Sequence, residues 1–328
     1  MRMKPSVAAA AAALLLISTT FGLEAQRAAQ NASPLVTGLD HVIILVNDLD
    51  AAASRYRAMG FALKPGRPHD NGIRNQHVKF EDGTELELLT APEANDQLTT
   101  QYRRYLAQGD GPAHVVLYAP DADALARRIV GGEFGAGRDG LITFPIGHRL
   151  RPIFFGGRNK SPTDRPEHFA HPNSAYSLTR AWLALDDAAP ELKLFAAVGG
   201  SVSEEEVQVP EPVRLRAVTF GADRVLLLPA SRQRLPGRPV VGASVVVKAL
   251  SDVHRQLQAS GLKPAAVTGS SILLPPEHTH GIWLEFREPA DPPAPRRYNP
   301  AAPFSQSKFD SGQTGSRNRR CVESCGPS

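Results

Sequence analysis

Cysteine is nearly absent from this sequence. Cys321 and Cys325 are the only two, and both sit in the last eight residues. They could pair with each other in an oxidising compartment, but no fold depends on them, which excludes a disulfide-stapled scaffold. A membrane-spanning run is also lacking. The apolar stretch at residues 7–17 is eleven residues long, against the roughly 20 needed to cross a bilayer. No basic stripe is present either. The formal net charge is only +4, and the basic residues are scattered. A loop cluster of Arg149, Arg151, Arg158, Lys160 and Arg165 reads as solvated surface, as does the basic tail. Without a stripe and a reading element, nucleic acid is excluded as a partner.

The two ends are not domain material. Arg2 and Lys4 precede the short apolar run, and a polar stretch leads to Ala25. That order of charge, apolar core and small residue reads as a signal peptide over residues 1–25, cleaved after Ala25. No cysteine follows the run, so a lipid anchor is not expected, and no stable membrane anchor remains after cleavage. Export without core cysteines fits a periplasmic or secreted protein. From residue 289 the chain is rich in proline, then in Ser, Gly, Asn and Arg. Such a composition cannot bury enough apolar surface to offset ordering, so 289–328 reads as a disordered tail.

Internal repetition sets the expected architecture between these ends. Gly38-Leu39-Asp40-His41-Val42-Ile43-Ile44-Leu45 runs into Asn47-Asp48. Gly111-Pro112-Ala113-His114-Val115-Val116-Leu117-Tyr118 runs into Pro120-Asp121. The design recurs at residues 178–187 and, degenerate, at 242–252. Each β-branched run reads as a strand. An Asp or Ser follows at a helix N-cap position. Alanine-rich helices are then expected at 51–59, 123–130, 190–198 and 253–259, each stopped by a glycine (Gly60, Gly131, Gly199, Gly261). Further strands are expected at 61–64, 76–80 and 85–89, with Asp82-Gly83 as a hairpin turn, and at 262–267, 271–274 and 281–286. The reading is an α+β fold of four βαβββ modules. Modules one and two pair about a pseudo-two-fold axis as a half-open barrel over 34–160, and modules three and four as a second over 171–288.

Side chains alternate faces along a strand, so His41 and His114 occupy equivalent cavity-facing positions. Glu85 and Glu87 share a face of the last strand of module one. Two imidazoles and a carboxylate on one wall form a facial set that holds a divalent metal and leaves positions open. Several other residues carry blander readings. Glu85 reads as a solvated strand residue. His69, His148 and His171 read as surface histidines that could line the cavity. Glu277-His278-Thr279-His280 reads as a loop rather than a second metal site. Gly135-Ala136-Gly137-Arg138-Asp139-Gly140 spells a dinucleotide fingerprint in the wrong context, and reads as a turn.

Leu39-Asp40-His41-Val42, Gly72-Ile73-Arg74-Asn75 and Leu86-Glu87-Leu88-Leu89 resemble the glyoxalase-like domains of the vicinal oxygen chelate superfamily. The resemblance implies metal ligands on the first and last strands of paired modules. By matching position these are His41, Glu87 and His114. It implies a divalent metal (iron, zinc, manganese or nickel) and a small oxygen-rich organic substrate, with isomerase, lyase and dioxygenase chemistry all open. Departures are visible. The last strand of module two, near residues 149–157, carries no carboxylate. Module three has Arg180 at the histidine position, module four has Ala243 or Ser244, and Glu285 lacks a histidine partner. The second bowl therefore reads as structural or as a lid. The same superfamily also implies an alternative, a metal-free protein that sequesters a small molecule.

Overall fold

The structure, a computed structural model, describes residues 33–158 and 160–289. The expected signal at 1–25, the tail beyond 289 and both cysteines lie outside the described residues. Module one comprises β1 (Gly38–Leu45), α1 (Leu49–Ala58), β2 (Lys64–Pro65), β3 (Arg74–Lys79) and β4 (Glu85–Thr90). A further helix, α2 (Gln97–Leu106), precedes module two, which comprises β5 (Gly111–Tyr118), α3 (Ala122–Ile129), β6 (Gly137–Asp139), β7 (Leu141–Thr143) and β8 (Ile153–Gly156). Module three follows as β9 (Ala175–Leu185), α4 (Ala189–Ala197), β10 (Ser201–Val209), β11 (Glu211–Phe220) and β12 (Asp223–Pro229). Module four holds β13 (Val240–Val247), α5 (Leu250–Ala259), β14 (Ala266–Val267), β15 (Ser271–Leu274) and β16 (Trp283–Arg287).

The strands form two eight-stranded sheets. One has the order β2-β3-β4-β1-β5-β8-β7-β6, the other β10-β11-β12-β9-β13-β16-β15-β14. Each sheet is two modules placed back to back. The first strands of the pair run antiparallel, and each first strand runs parallel to the last strand of its own module. This is the expected pairing of modules one with two and three with four in an α+β fold.

Local chemistry explains the module starts. Asp48 caps α1 by accepting from the Asp50 and Ala51 amides, and Asp121 caps α3 by accepting from Ala124. All four expected stop glycines adopt positive φ. Module four departs from expectation. Ser251 and Asp252 lie inside α5, and the Glu288 carboxylate instead accepts from the Leu250 amide at 2.9 Å.

One apolar core joins the sheets, including Val42, Ile44 and Tyr56 from the first and Leu183, Phe195 and Phe286 from the second. Each fully buried Val, Leu or Phe there contributes about 1.5–3 kcal/mol. Polar pins cross the same junction. Asp223 accepts from the Leu39 amide at 2.9 Å, and Thr84 Oγ1 accepts from the Leu178 amide at 2.9 Å. His171, expected at the surface, is buried here instead. Its Nδ1 accepts from the Ala62 amide at 2.9 Å, so Nε2–H donates to the Lys79 carbonyl at 2.8 Å. Its ring packs edge-on against Phe61 and Phe80. Burial holds its pKa down at about 4. His280 also serves the junction, with Nδ1 2.8 Å from Asp110, while Glu277 meets Arg234 at 2.6 Å.

Candidate active site in the first bowl

Sheet register decides which side chains meet. His41 lies opposite Glu85 on β4 and Val116 on β5, and Ile43 lies opposite Glu87 and His114. His77 on β3 lies opposite Glu87, and Lys79 opposite Glu85. Laterally paired residues share a face, so His41, Glu85, Glu87, His77, Lys79 and His114 all project from one face of the sheet. The apolar residues of that face (Ile43, Leu45, Leu89, Val116, Phe154) pack with Tyr102 and Leu106 of α2.

Module one supplies two crossed histidine–carboxylate pairs. His41 Nε2 lies 3.4 Å from Glu87, and His77 Nδ1 lies 3.2 Å from Glu85. Asn75 Nδ2 donates to Glu87 at 2.5 Å. Burial alone would depress His41, but Asp40, 3.3 Å from its Nδ1, and then Glu87 outweigh it and raise the pKa to about 9. Burial would raise Glu85, yet His77, His41 and Lys79 hold it down at about 2. Glu85 is thus an ion-paired residue, only 2% exposed, not the solvated strand residue expected. Glu85 and Glu87 are two positions apart and both face inward, so no slip in register is needed to present either.

Module two supplies an aromatic half. His114 is fully buried and stacks on Phe154 at 4.2 Å between centroids, with Tyr102 at 5.6 Å. Neither ring nitrogen reaches hydrogen-bond geometry, although the Arg151 backbone lies close enough to favour the charged form slightly. Burial, then the Arg151 charge, push its pKa well below the usual histidine range. His69 is half-buried and close enough to Glu87 and Asn75 to feel both, whereas His148 is exposed and stacks on Phe144.

A divalent metal can be tested against these residues. His41 and Glu87 are already neighbours, and His114 is a buried imidazole whose nitrogens lack protein partners. The donor types therefore fit. The three side chains do not converge in this conformation: among the described residues, no three His, Cys, Asp or Glu side chains form a metal-holding group.

Residues 39–199 match the glyoxalase-like domain family. That span runs from β1 through both modules of the first bowl to the glycine that ends α4. The chain carries a glyoxalase-like domain. Solved structures share this fold over most of the chain. A mutant of 4-hydroxymandelate synthase from Streptomyces coelicolor is 15% identical, with a TM-score of 0.56 over 78% of this chain and 93% of that one. The 2,2',3-trihydroxybiphenyl 1,2-dioxygenase of Sphingomonas wittichii is 13% identical, with a TM-score of 0.51 over 77% and 91%. A catechol 2,3-dioxygenase is 14% identical, with a TM-score of 0.51 over 78% and 90%. At these identities the likeness is one of fold, the paired-module fold of the vicinal oxygen chelate proteins. No curated protein matches.

Sequence reasoning missed three features of the site. The first is α2, which covers the module-two half. Asp96 caps it by accepting from the Thr99 amide at 2.7 Å, while Thr99 Oγ1 accepts from the Asp96 amide at 2.9 Å. Leu98, Tyr102 and Leu106, one turn apart, were the available signal. The second is the pairing of His77 with Glu85, which only the β3–β4 register reveals. The third is Arg151, expected at the surface but only 8% exposed.

Proposed function

We propose that the first bowl is the active site of an enzyme that acts on a small oxygen-rich organic molecule, with a divalent metal held by His41, Glu87 and His114. The observation that supports this most is the His41–Glu87 contact on the inner face of the sheet, beside a buried imidazole with unused nitrogens. A metal bound there would polarise vicinal oxygens of the substrate. The chain's own residues do the rest. Asn75 fixes the Glu87 carboxylate, Asp40 orients the His41 ring, and the Glu85–His77 pair can hold or release a proton one residue pair away. The wall of Phe154, Tyr102 and Leu106 excludes water from the His114 side. Isomerase, lyase and ring-cleaving dioxygenase chemistry are all compatible with these groups. Action in the periplasm, after removal of residues 1–25, belongs to the same proposal.

A second reading is a metal-free protein that binds and sequesters a small molecule. It draws on β8, where Ile153, Phe154, Phe155 and Gly156 provide no carboxylate, and on the separation of His114 from the His41–Glu87 pair. Metal retention separates the two. Wild type reloaded with iron, zinc, manganese or nickel should keep about one metal per chain after dialysis. Glu87→Gln and His114→Ala should each lose most of it while staying folded. Absence of retained metal in wild type, with and without a bidentate ligand such as catechol, transfers the conclusion to sequestration.

A further inference from the structure

Buried cations need carboxylates, because transfer of a charge out of water costs several kcal/mol unless a counter-charge is near. Among the described residues this protein follows that rule with one exception. Lys64 and Lys79 share Asp164 at 2.6 and 2.8 Å. Arg180 has Glu205 at 3.3 Å. Arg238, 2% exposed, donates to the carbonyls of Tyr105, Gly109, Gly111 and Pro112, and Asp110 is close enough to favour its charge. Arg151, 8% exposed, has no carboxylate partner among the described residues.

Its hydrogen bonds all go to neutral acceptors. Nε donates to Gln101 Oε1 at 3.1 Å, and Nη1 to Thr143 Oγ1 at 2.7 Å and the Phe144 carbonyl at 2.8 Å. The guanidinium lies 4.8 Å from the centre of the Phe154 ring, the ring that stacks on His114. Burial lowers its pKa, and the only groups favouring its charge are the phenols Tyr102 and Tyr105. The two halves of the bowl therefore differ: module one pairs Glu85 and Glu87 with His77, His41 and Lys79, whereas module two presents Arg151, with no carboxylate partner, near the Phe154 ring that stacks on His114. Gln101, which accepts from Arg151 Nε, also lines an open groove with Asp96, Gln97, Thr100, Arg104 and Ile146. Gln101 is thus shared between that groove and Arg151.

The structure assigns to Arg151 the recognition of a carboxylate on the small molecule that the first bowl holds. This rests on reading that bowl as a small-molecule site. The ligand class it names is a hydroxylated organic monoacid. Its carboxylate neutralises Arg151 on the module-two side, and its hydroxyls turn toward the Glu85 and Glu87 side. A guanidinium suits this task because its planar donors match a carboxylate, and its charge is not already spent on a protein acid.

The test titrates the full chain calorimetrically with two probes that differ only in the acid, catechol and 3,4-dihydroxybenzoate. In wild type the benzoate should bind at least about tenfold more tightly, the size of a charge-assisted hydrogen bond of roughly 1.5 kcal/mol or more. Arg151→Gln should bring the ratio near one and leave catechol affinity within about twofold. A wild-type ratio near one, with catechol bound, overturns the carboxylate assignment and leaves the bowl's role intact. A ratio that survives in Arg151→Gln overturns it too, since the charge is then read elsewhere. Failure of both probes to bind removes the small-molecule reading along with it. Should Arg151→Gln not fold, Arg151→Lys takes its place: the ratio should fall because a point charge loses the planar donor pair, and an unchanged ratio overturns the assignment.

Discussion

The two bowls share one strand order and differ at every position that matters for chemistry. Register makes the comparison exact to the residue. Arg180 on β9 stands where His41 stands on β1, and Arg224 on β12 where Glu85 stands on β4. Leu226 replaces Glu87, and Trp182 replaces Ile43. Gly242 on β13 replaces His114 on β5. Glu285 takes the place of Phe154, since it pairs with Ser244 as Phe154 pairs with Val116, and both stand where Glu87 stands opposite Ile43 in module one. The second bowl has thus exchanged its donors for a plug. The fully buried Trp182 ring lies across Gly242, where an added Cβ would sit 2.2 Å from a ring carbon, and its Nε1 donates to Ser244 Oγ at 3.0 Å. Val207, Val209, Leu215, Leu226 and Leu273 pack around it. What remains polar is Glu205, ion-paired with Arg180 and Arg224, and the buried Glu285, close enough to Arg180 to favour its charge. One scaffold therefore holds a buried cluster of histidines and carboxylates on one side and a core packed around Trp182 on the other. The bowl that keeps histidines beside its carboxylates is the one to assign chemistry to.

The largest effect should come from breaking the plug. Trp182→Ala should destabilise the protein by about 3–5 kcal/mol in denaturant unfolding, the usual range for a buried Trp truncation. A loss below about 1 kcal/mol would mean that the second bowl is not packed as described. The joint between the bowls gives a pH effect nearly as large. His171 has its folded pKa lowered to about 4 from 6.5, so the unfolded chain binds the extra proton first as pH falls. Its contribution is present in full above about pH 6.5, declines below that, and is gone by about pH 4. The loss is about 3.5 kcal/mol at most, since each tenfold weakening of proton binding is worth about 1.4 kcal/mol. Unfolding curves between pH 7 and 4 should be flatter in His171→Gln by that amount. An unchanged slope would show that His171 takes up its proton as easily folded as unfolded.

Much of this was legible in the sequence. The repeat of strand, capping residue, helix and glycine locates all four modules because each device is local. The His41 and His114 starts fall on equivalent positions for the same reason. What fails is non-local. Counting along the repeat points to Ala243 or Ser244 as the fourth histidine position, but Gly242 pairs with Trp182 as His114 pairs with Ile43, which places the match at Gly242. Arg151 groups with Arg149 and its neighbours as solvent-facing when read along the chain, because its burial depends on α2, an element outside the repeat. His171 looks like a loop histidine until Ala62 and Lys79 are brought to its two nitrogens. Module three also carries a long β10–β11 hairpin where module one has short strands, and only its pairing along nine residues of β10 shows this.

The division of labour between the bowls is tested most directly by metal retention in matched variants. Wild type, His41→Ala and Arg180→Ala, reloaded with the same divalent metal and dialysed, should be compared for metal per chain and for melting temperature. The account predicts about one metal in wild type and in Arg180→Ala, and little in His41→Ala, with all three folded. Metal lost equally from Arg180→Ala and His41→Ala, or held equally by all three, would contradict it.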